Sequence, residues 1–257
     1  MLNASDHYII GIMPADPGIH HTLFPTAIGT CGVAWSARGL VALALPERDE
    51  PATEKRLRAK SHSAGQAEPP PEIAQAISLI QRYCAGGRVD FSVVPLDLSG
   101  IDPERRRVYE TMRAIRFGET TTYGRLAKES GAAEADWEAA QRIGVAMGRN
   151  PLPIVVPCHR IVGSRGELVG YAGNRVGLKE RLLGLEGVRT APAHASKVAR
   201  AALYHYEPSP SREYCLPTCG NIARRPIGML FARREQAEAR GLVPCTTCHP
   251  ELYPLPE

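Results

Sequence analysis

The chain has 257 residues, enough for two domains, or one large and one small, each with its own core. Aromatic residues are 6%, so aliphatic side chains and alanine must fill much of those cores, and a formal charge of +4 permits a local basic face for phosphate without demanding one. No apolar run approaches a membrane span, and residues 1–18 lack the basic start and apolar stretch of a secretory signal. A cytoplasmic protein with no membrane partner is expected. The seven cysteines suit a reducing compartment better than a disulfide scaffold, since one precedes a histidine and four stand at metal spacing.

Thr30-Cys31-Gly32-Val33-Ala34-Trp35 and Gly39-Leu40-Val41-Ala42-Leu43-Ala44-Leu45 predict two strands around a turn at 36–39. Residues 47–71, charged and then proline-rich, predict a loop. Ile73, Ala76, Ile77 and Ile80 recur at helical spacing and predict a helix over 72–84. Cys31 and Cys84 fall in these elements and read as small buried hydrophobes. The first 99 residues thus read as an α/β domain.

From Asp102 the pattern turns helical, with Val108, Met112 and Ile115 on one face ending at Phe117-Gly118. Two short helices follow, over 123–130 and 136–147, separated by Gly131; Ala140, Ile143, Gly144 and Met147 line the second. Two short helices around a glycine turn are the helix-turn-helix pattern, although many helical hairpins never meet DNA. A second domain over 100–188, a linker over 189–202 and a small module over 203–257 complete the expected division.

Pro157-Cys158-His159-Arg160 carries the chemistry, set between Asn150-Pro151-Leu152-Pro153-Ile154-Val155-Val156 and Ile161-Val162-Gly163. A thiolate, not a thiol, is the nucleophile, and a neighbouring imidazole or cation lowers the ordinary thiol pKa of about 8.5. Pro157 fixes its own φ and restrains its predecessor, so Cys158 leaves the segment in a set direction. Alone, a Cys-His neighbour pair is more often structural than catalytic.

The stretch 150–163 resembles the active-site signature of the O6-alkylguanine-DNA alkyltransferases. Phe117-Gly118-Glu119-Thr120-Thr121-Thr122-Tyr123-Gly124-Arg125-Leu126-Ala127 is similar to that family's entry to its helix-turn-helix. Gly170-Tyr171-Ala172-Gly173 and Leu182-Leu183-Gly184-Leu185-Glu186-Gly187 are similar to its substrate loop and closing helix. The resemblance implies a ribonuclease-H-like N-terminal domain and a mostly α, winged or helix-turn-helix DNA-binding catalytic domain. It also implies single-turnover repair, in which an alkyl group moves from O6 of guanine in double-stranded DNA to Cys158 without a cofactor. By the same carry-over His159 takes the thiol proton and Glu186 orients the imidazole, Tyr123 donates to the guanine O6, and Asn150 braces the active-site turn. The backbone carbonyls near Val156 and Cys158 would read the guanine exocyclic amine, and Tyr171 and the loop behind it would wall the base pocket, with Ala172 and Gly173 leaving room for the alkyl group. Arg160 is a structural partner of the motif. The base must be flipped out of the duplex. Where the family uses an arginine wedge, this chain has Gln141, with Arg142 rotated from it by about 100° along the helix. Either Gln141 is a shorter wedge or the helix register differs.

Cys215-x3-Cys219 and Cys245-x2-Cys248 predict a structural zinc site in a small α+β module, because tetrahedral zinc accepts four thiolates. Two disulfides, or haem attachment at Cys245-Thr246-Thr247-Cys248-His249, are the competing readings. The module resembles the zinc domain of the bacterial adaptive-response alkyltransferase, which implies that Cys215 could also accept methyl from phosphotriesters; a structural or DNA-docking role fits the spacing equally. Arg224, Arg225, Arg233, Arg234 and Arg240 are candidate phosphate contacts. A monomer is expected. The rival functions are a lesion-binding sensor without transfer and a cysteine hydrolase, the latter disfavoured by the flanking motifs.

Overall fold

The computed structural model describes residues 16–131, 137–169, 171, 175–191, 197–222 and 228–255. The first segment is a sheet backed by two helices. Strands β1 (Asp16–Thr26), β2 (Gly29–Ser36) and β3 (Gly39–Ala44) form an antiparallel run. A short β4 (Ser63–Gln66) joins the other edge of β1 in parallel, giving the order β3-β2-β1-β4. Helix α2 (Pro71–Cys84) follows, with Ile73, Ala76, Ile77, Ile80 and Tyr83 all buried.

Two elements differ from the sequence reading. The predicted loop over 47–71 contains helix α1 (Glu50–Ser61) as well as β4. Among the apolar residues of α1 only Leu57 is fully buried, so no apolar stripe announces the helix. Its signal is at the start, where the side chain of Asp49 accepts from the N–H of Ala52 and Pro51 fits the first turn. Strand β1 was also unpredicted, and it lies inside the sheet between β2 and β4.

The second segment begins with α3 (Pro103–Arg113), capped by Asp102, and runs through β5 (Glu119–Thr122), α4 (Tyr123–Glu129) and α5 (Trp137–Gly148). Thr122 caps α4 through its hydroxyl. The expected start of α5 at Asp136 lies outside the described residues. A 3-10 turn over Cys158–Arg160, β6 (Ile161–Val162) and α6 (Val176–Leu185) follow. One hydrophobic cluster runs from Val33 and Tyr83 through Met112 and Leu126 to Cys158 and Leu182, so both segments share a core.

After a 3-10 turn at Arg200–Ala202 come β7 (Tyr204–Tyr206), β8 (Glu213–Cys215), β9 (Met229–Phe231), α7 (Arg234–Glu238) and β10 (Val243–Pro244). These strands continue the second segment's own sheet. β9 pairs antiparallel with β5, and the order is β10-β8-β7-β9-β5-β6. The expected linker is bound too: Thr190 bridges Val198, and Lys197 bridges Glu167. The join is also ionic. Arg240 holds the fully buried Glu119 through Nε at 2.8 Å and Nη2 at 2.6 Å, and donates to the carbonyl of Ala114 at 2.7 Å.

Removing one partner of a buried pair strands the other. Arg240→Ala should therefore destabilise the protein by about 3 kcal/mol in denaturant unfolding, and adding Glu119→Gln should recover part of that loss. Equal stability of Arg240→Ala and wild type would show that the join carries no weight.

Candidate active site

The segment from Asn150 to Pro157 is a tight, buried turn organised by one side chain. Asn150 Oδ1 accepts from the N–H of Leu152 at 3.0 Å, and its Nδ2 donates to the carbonyl of Val156 at 2.8 Å. Ile154 sits at φ 74°, a left-handed conformation that a β-branched residue adopts only under constraint. The amide of Asn150 also donates to Cys158 Sγ at 3.1 Å. Cys158 is 4% exposed, at the start of the 3-10 turn. Burial pushes its pKa up, opposed by the Asn150 donor and then by the charges of Lys179 and Lys60. The resting sulfur is a protected thiol.

Behind it lies a buried carboxylate. Glu186, just past the end of α6, accepts at Oε1 from His159 Nε2 at 2.7 Å, from the Tyr83 hydroxyl at 2.7 Å and from Arg160 Nη2 at 2.9 Å. At Oε2 it accepts from Arg160 Nε at 3.0 Å and from the N–H of Gly118 at 2.9 Å. An ionised carboxylate only accepts, so the His159 proton is assigned to Nε2 and Nδ1 is the basic nitrogen. Nδ1 is buried with no hydrogen-bond partner among the described residues. Burial holds the His159 imidazole below its ordinary pKa despite Glu186, so the ring is neutral at rest.

Two lysines flank the thiol. Lys179, fully buried, donates to the carbonyls of Ile161 and Val169, and burial lowers it to about 8. Lys60, on α1, reaches the carbonyl of Asn150 at 3.4 Å and is likewise brought to about 8, by burial and then Arg56. Tyr123 opens α4 and donates to the carbonyl of Val169 at 3.1 Å; burial and then Cys158 raise it to about 12. Tyr171 is buried, and its hydroxyl is pushed up first by burial and next by Cys158. Ala172 and Gly173 lie outside the described residues. The carbonyl of Val156 accepts from both Asn150 Nδ2 and the N–H of Cys158, so it braces the turn. Gln141 is exposed on α5, apart from this cluster, and Arg142 beside it pairs with Glu104 at 3.5 Å.

The four distal cysteines converge. The sulfurs of Cys215, Cys219, Cys245 and Cys248 lie within 4.8 Å of one another. Leu216 N–H donates to Cys248 Sγ at 3.3 Å and Thr247 N–H to Cys245 Sγ at 3.4 Å, the kind of donors that stabilise thiolate. Of the candidate phosphate contacts, Arg240 is engaged by Glu119 and Arg234 by Glu235, while Arg224 and Arg225 lie outside the described residues. His249 pairs with Glu251.

Comparison with known proteins assigns this architecture. The family model of the 6-O-methylguanine DNA methyltransferase DNA-binding domain matches residues 103–188, and that of the ribonuclease-like domain matches residues 19–98. A methylated-DNA-protein-cysteine methyltransferase of Mycolicibacterium paratuberculosis is 38% identical over 154 residues, spanning 59% of this chain and 88% of that protein. The chain belongs to the 6-O-methylguanine DNA methyltransferase family. The solved O6-methylguanine methyltransferase of Mycobacterium tuberculosis superposes with a TM-score of 0.53 at 34% identity, covering 68% of this chain and 96% of that one. A complex of the Mycobacterium tuberculosis protein with DNA superposes at 0.51 and 34% identity, covering 65% and 92%. A DNA base-flipping protein of Thermus thermophilus is 38% identical over 122 residues, 46% of this chain and 78% of that one.

Within this family member, three residues around the site escaped the sequence reading: Tyr83, Lys60 and Lys179. Tyr83 extends the apolar face of α2 at i+3 from Ile80, so it reads as core; its hydroxyl nonetheless ends 2.7 Å from Glu186 Oε1. Lys60 sits in the helix that went unpredicted. Lys179 is a lysine on a short helix, with nothing in its spacing to mark it as buried.

Burial alone would raise the Glu186 carboxyl, but Arg160 and His159 hold it well below the ordinary range. Such a group contributes stability that is fully present above its unfolded pKa of about 4.3 and is lost as pH falls toward the folded value. Denaturant unfolding across pH 6 to 3 should therefore weaken steeply below about pH 4. Glu186→Gln, less stable near neutrality by about 3 kcal/mol because Arg160 is left unpaired, should show a flatter acid limb. Parallel pH profiles for the two would rule out Glu186 as the acid-sensitive group.

Proposed function

We propose that the protein repairs DNA by irreversible, single-turnover transfer of an alkyl group from O6 of guanine to its own Cys158. The carrying observation is the pairing of a buried, Asn150-bound sulfur with an adjacent imidazole whose Nε2 is tied to Glu186 and whose Nδ1 is unclaimed. Nδ1 of His159 takes the Cys158 proton, directly or through one water, and Glu186 with Arg160 and Tyr83 stabilises and orients the resulting imidazolium. The sulfur lone pair attacks the alkyl carbon, the C–O6 bond breaks, and the electron pair leaves on guanine. Tyr123 donates to the developing charge at O6 after releasing the carbonyl of Val169, and Tyr171 walls the base. The thioether has no leaving group, so each chain acts once, and transfer needs no cofactor. Membership of the family, and relatives named methylated-DNA-protein-cysteine methyltransferase, support this reading. The base-flipping name of the Thermus relative favours a second one, lesion binding without transfer; a positioned Cys158 favours the enzyme.

DNA engagement is assigned to the α4–α5 pair as a helix-turn-helix, with exposed Gln141 as the wedge. Arg142, drawn to Glu104, is turned to another use. The four cysteines are assigned to one zinc ion. Four sulfurs on a tetrahedral ion of Zn–S about 2.3 Å lie roughly 3.8 Å apart, which the observed cluster accommodates with small closure. Zinc bound there supplies cross-linking of β8, the Cys219 turn and the Cys245–Cys248 turn. Cys215 is 5% exposed, and that burial supports a structural ligand over a phosphotriester acceptor. The protein is read as a cytoplasmic monomer on nucleoid DNA; among the described residues no helix is long and apolar enough to cross a membrane.

Native mass spectrometry after incubation with duplex DNA carrying O6-methylguanine tests these assignments together. The expected species carries one zinc and gains one methyl, mapped to Cys158 and stopping at one equivalent. Cys158→Ser should bind the lesion and gain nothing; methylation of that variant elsewhere in the site would overturn the assignment. Gln141→Arg should speed repair of duplex relative to free O6-methylguanine, and an unchanged ratio would remove Gln141 from the wedge position.

A further inference from the structure

A single peptide group connects the C-terminal segment to the relay. The carbonyl of Phe117 accepts from Gln236 Nε2 at 2.8 Å, and the N–H of the same peptide, belonging to Gly118, donates to Glu186 Oε2 at 2.9 Å. A peptide plane is rigid, so fixing its carbonyl fixes the direction of its N–H. Accepting at the carbonyl also polarises the group and strengthens the donor on the other side. The Gln236 side chain is itself determined. Its Oε1 accepts from the N–H of Arg233 at 2.8 Å, which leaves only Nε2 to face Phe117, and the residue is 5% exposed.

The glycine belongs to the same device. Gly118 has φ +78°, and a Cβ there would lie 2.0 Å from Gln236 Nε2 and 3.1 Å from the carbonyl of Glu186. Only a residue without a side chain lets the amide of Gln236 close over this peptide. Gly118 is further fastened by its own carbonyl, which accepts from the N–H of Ala232 at 3.1 Å.

Gln236 is carried by α7, and α7 is tied to the cysteine cluster. The Tyr214 hydroxyl donates to Glu238 at 2.9 Å, Tyr214 precedes Cys215, and the N–H of Cys245 donates to the carbonyl of Tyr214 at 3.0 Å. The path runs from the metal-ligand segment through α7 and one peptide to the carboxylate that orients His159.

We infer that Gln236 is a positioning residue of the alkyl-transfer site, so that the C-terminal cysteine segment is a working part of the catalytic domain. The inference rests on the alkyl-transfer reading above. Its chemical content is specific. With the Phe117–Gly118 peptide released, Glu186 is no longer held in place and orients the imidazole less well, so His159 withdraws the Cys158 proton less effectively and the Cys158 thiolate forms only at higher pH.

The test uses the full-length protein as purified, with Gln236→Met and Gln236→Glu, two unbranched side chains of similar length that lack the amide donor. Single-turnover methyl transfer from O6-methylguanine duplex is followed across pH, with the number of methyl groups accepted per chain as a separate readout. Leu242→Ala, a core truncation in the same segment that keeps the Gln236 amide, controls for loss of stability. The expected result is one methyl per chain at about a tenfold lower rate near neutrality, with the midpoint of the pH–rate curve moved upward, and an unmoved midpoint for Leu242→Ala. Should one Gln236 variant not fold, the other decides. A wild-type rate and midpoint in a folded Gln236 variant overturns the inference. So does a fall in methyl groups per chain with the midpoint unmoved, which marks a purely structural role. Absence of transfer by wild type itself would count against the alkyl-transfer reading instead.

Discussion

The Glu186 carboxylate is the point on which the structure turns. It is 3% exposed and receives donors from three parts of the chain: Tyr83 of the N-terminal segment, the Gly118 backbone, and the His159-Arg160 pair of the active-site turn. A charge buried so deeply costs several kcal/mol of lost hydration, and good geometry with every lone pair used is the condition for keeping it. That condition explains why elements far apart in sequence meet here. It also sets the chemistry, because a carboxylate saturated by an arginine, a tyrosine and a backbone amide can only accept from His159. The imidazole is thereby left with one basic nitrogen, on the side away from the acid.

The thiol is controlled by a different balance. Burial raises Cys158, while Asn150, Lys179 and Lys60 pull the other way, and the first effect is the larger. For a protein that acts once, this sign is useful: a thiolate standing free would be spent on any electrophile, whereas a buried thiol waits beside a neutral base. The strain at Ile154 serves the same end. A left-handed β-branched residue is tolerated because Asn150 closes the turn from both sides, and the same amide that closes the turn reaches the sulfur. Turn geometry and nucleophile position are one constraint.

Much of the site was legible in the sequence because its residues are local. Asn150, Cys158 and His159 fall in ten consecutive residues, and proline with asparagine signals their turn. Glu186 required the family resemblance, since nothing in the spacing of 182–187 marks a buried acid. The helices with an apolar stripe, α2, α3 and α5, were readable; α1, with Leu57 as its one fully buried apolar side chain, was not. Tyr83 was invisible for the opposite reason: it continues a good stripe, and a pattern of burial says nothing about where a hydroxyl ends. Lys179 and Arg240 look like surface charge until the partner carbonyls and carboxylate are in place.

The C-terminal segment was the hardest to read, because its composition points one way and its edges another. Paired cysteines mark a self-contained metal module, whose small core of Tyr204, Tyr214, Met229, Phe231 and Leu242 fits that expectation. Its strand β9, however, also pairs antiparallel with β5, the strand that leads into α4. A three-residue strand pairing alone would be a weak join. Arg240 on Glu119 and Gln236 on Phe117 make it specific, and both act within three residues of Gly118. An exposed β5 edge would leave unpaired backbone groups beside the relay. Covering that edge with β9 satisfies those groups, and α7, which follows β9, supplies the side chain that fixes the peptide facing Glu186. The same contact therefore answers a folding requirement and a catalytic one, which is why the segment cannot be understood as an appendage.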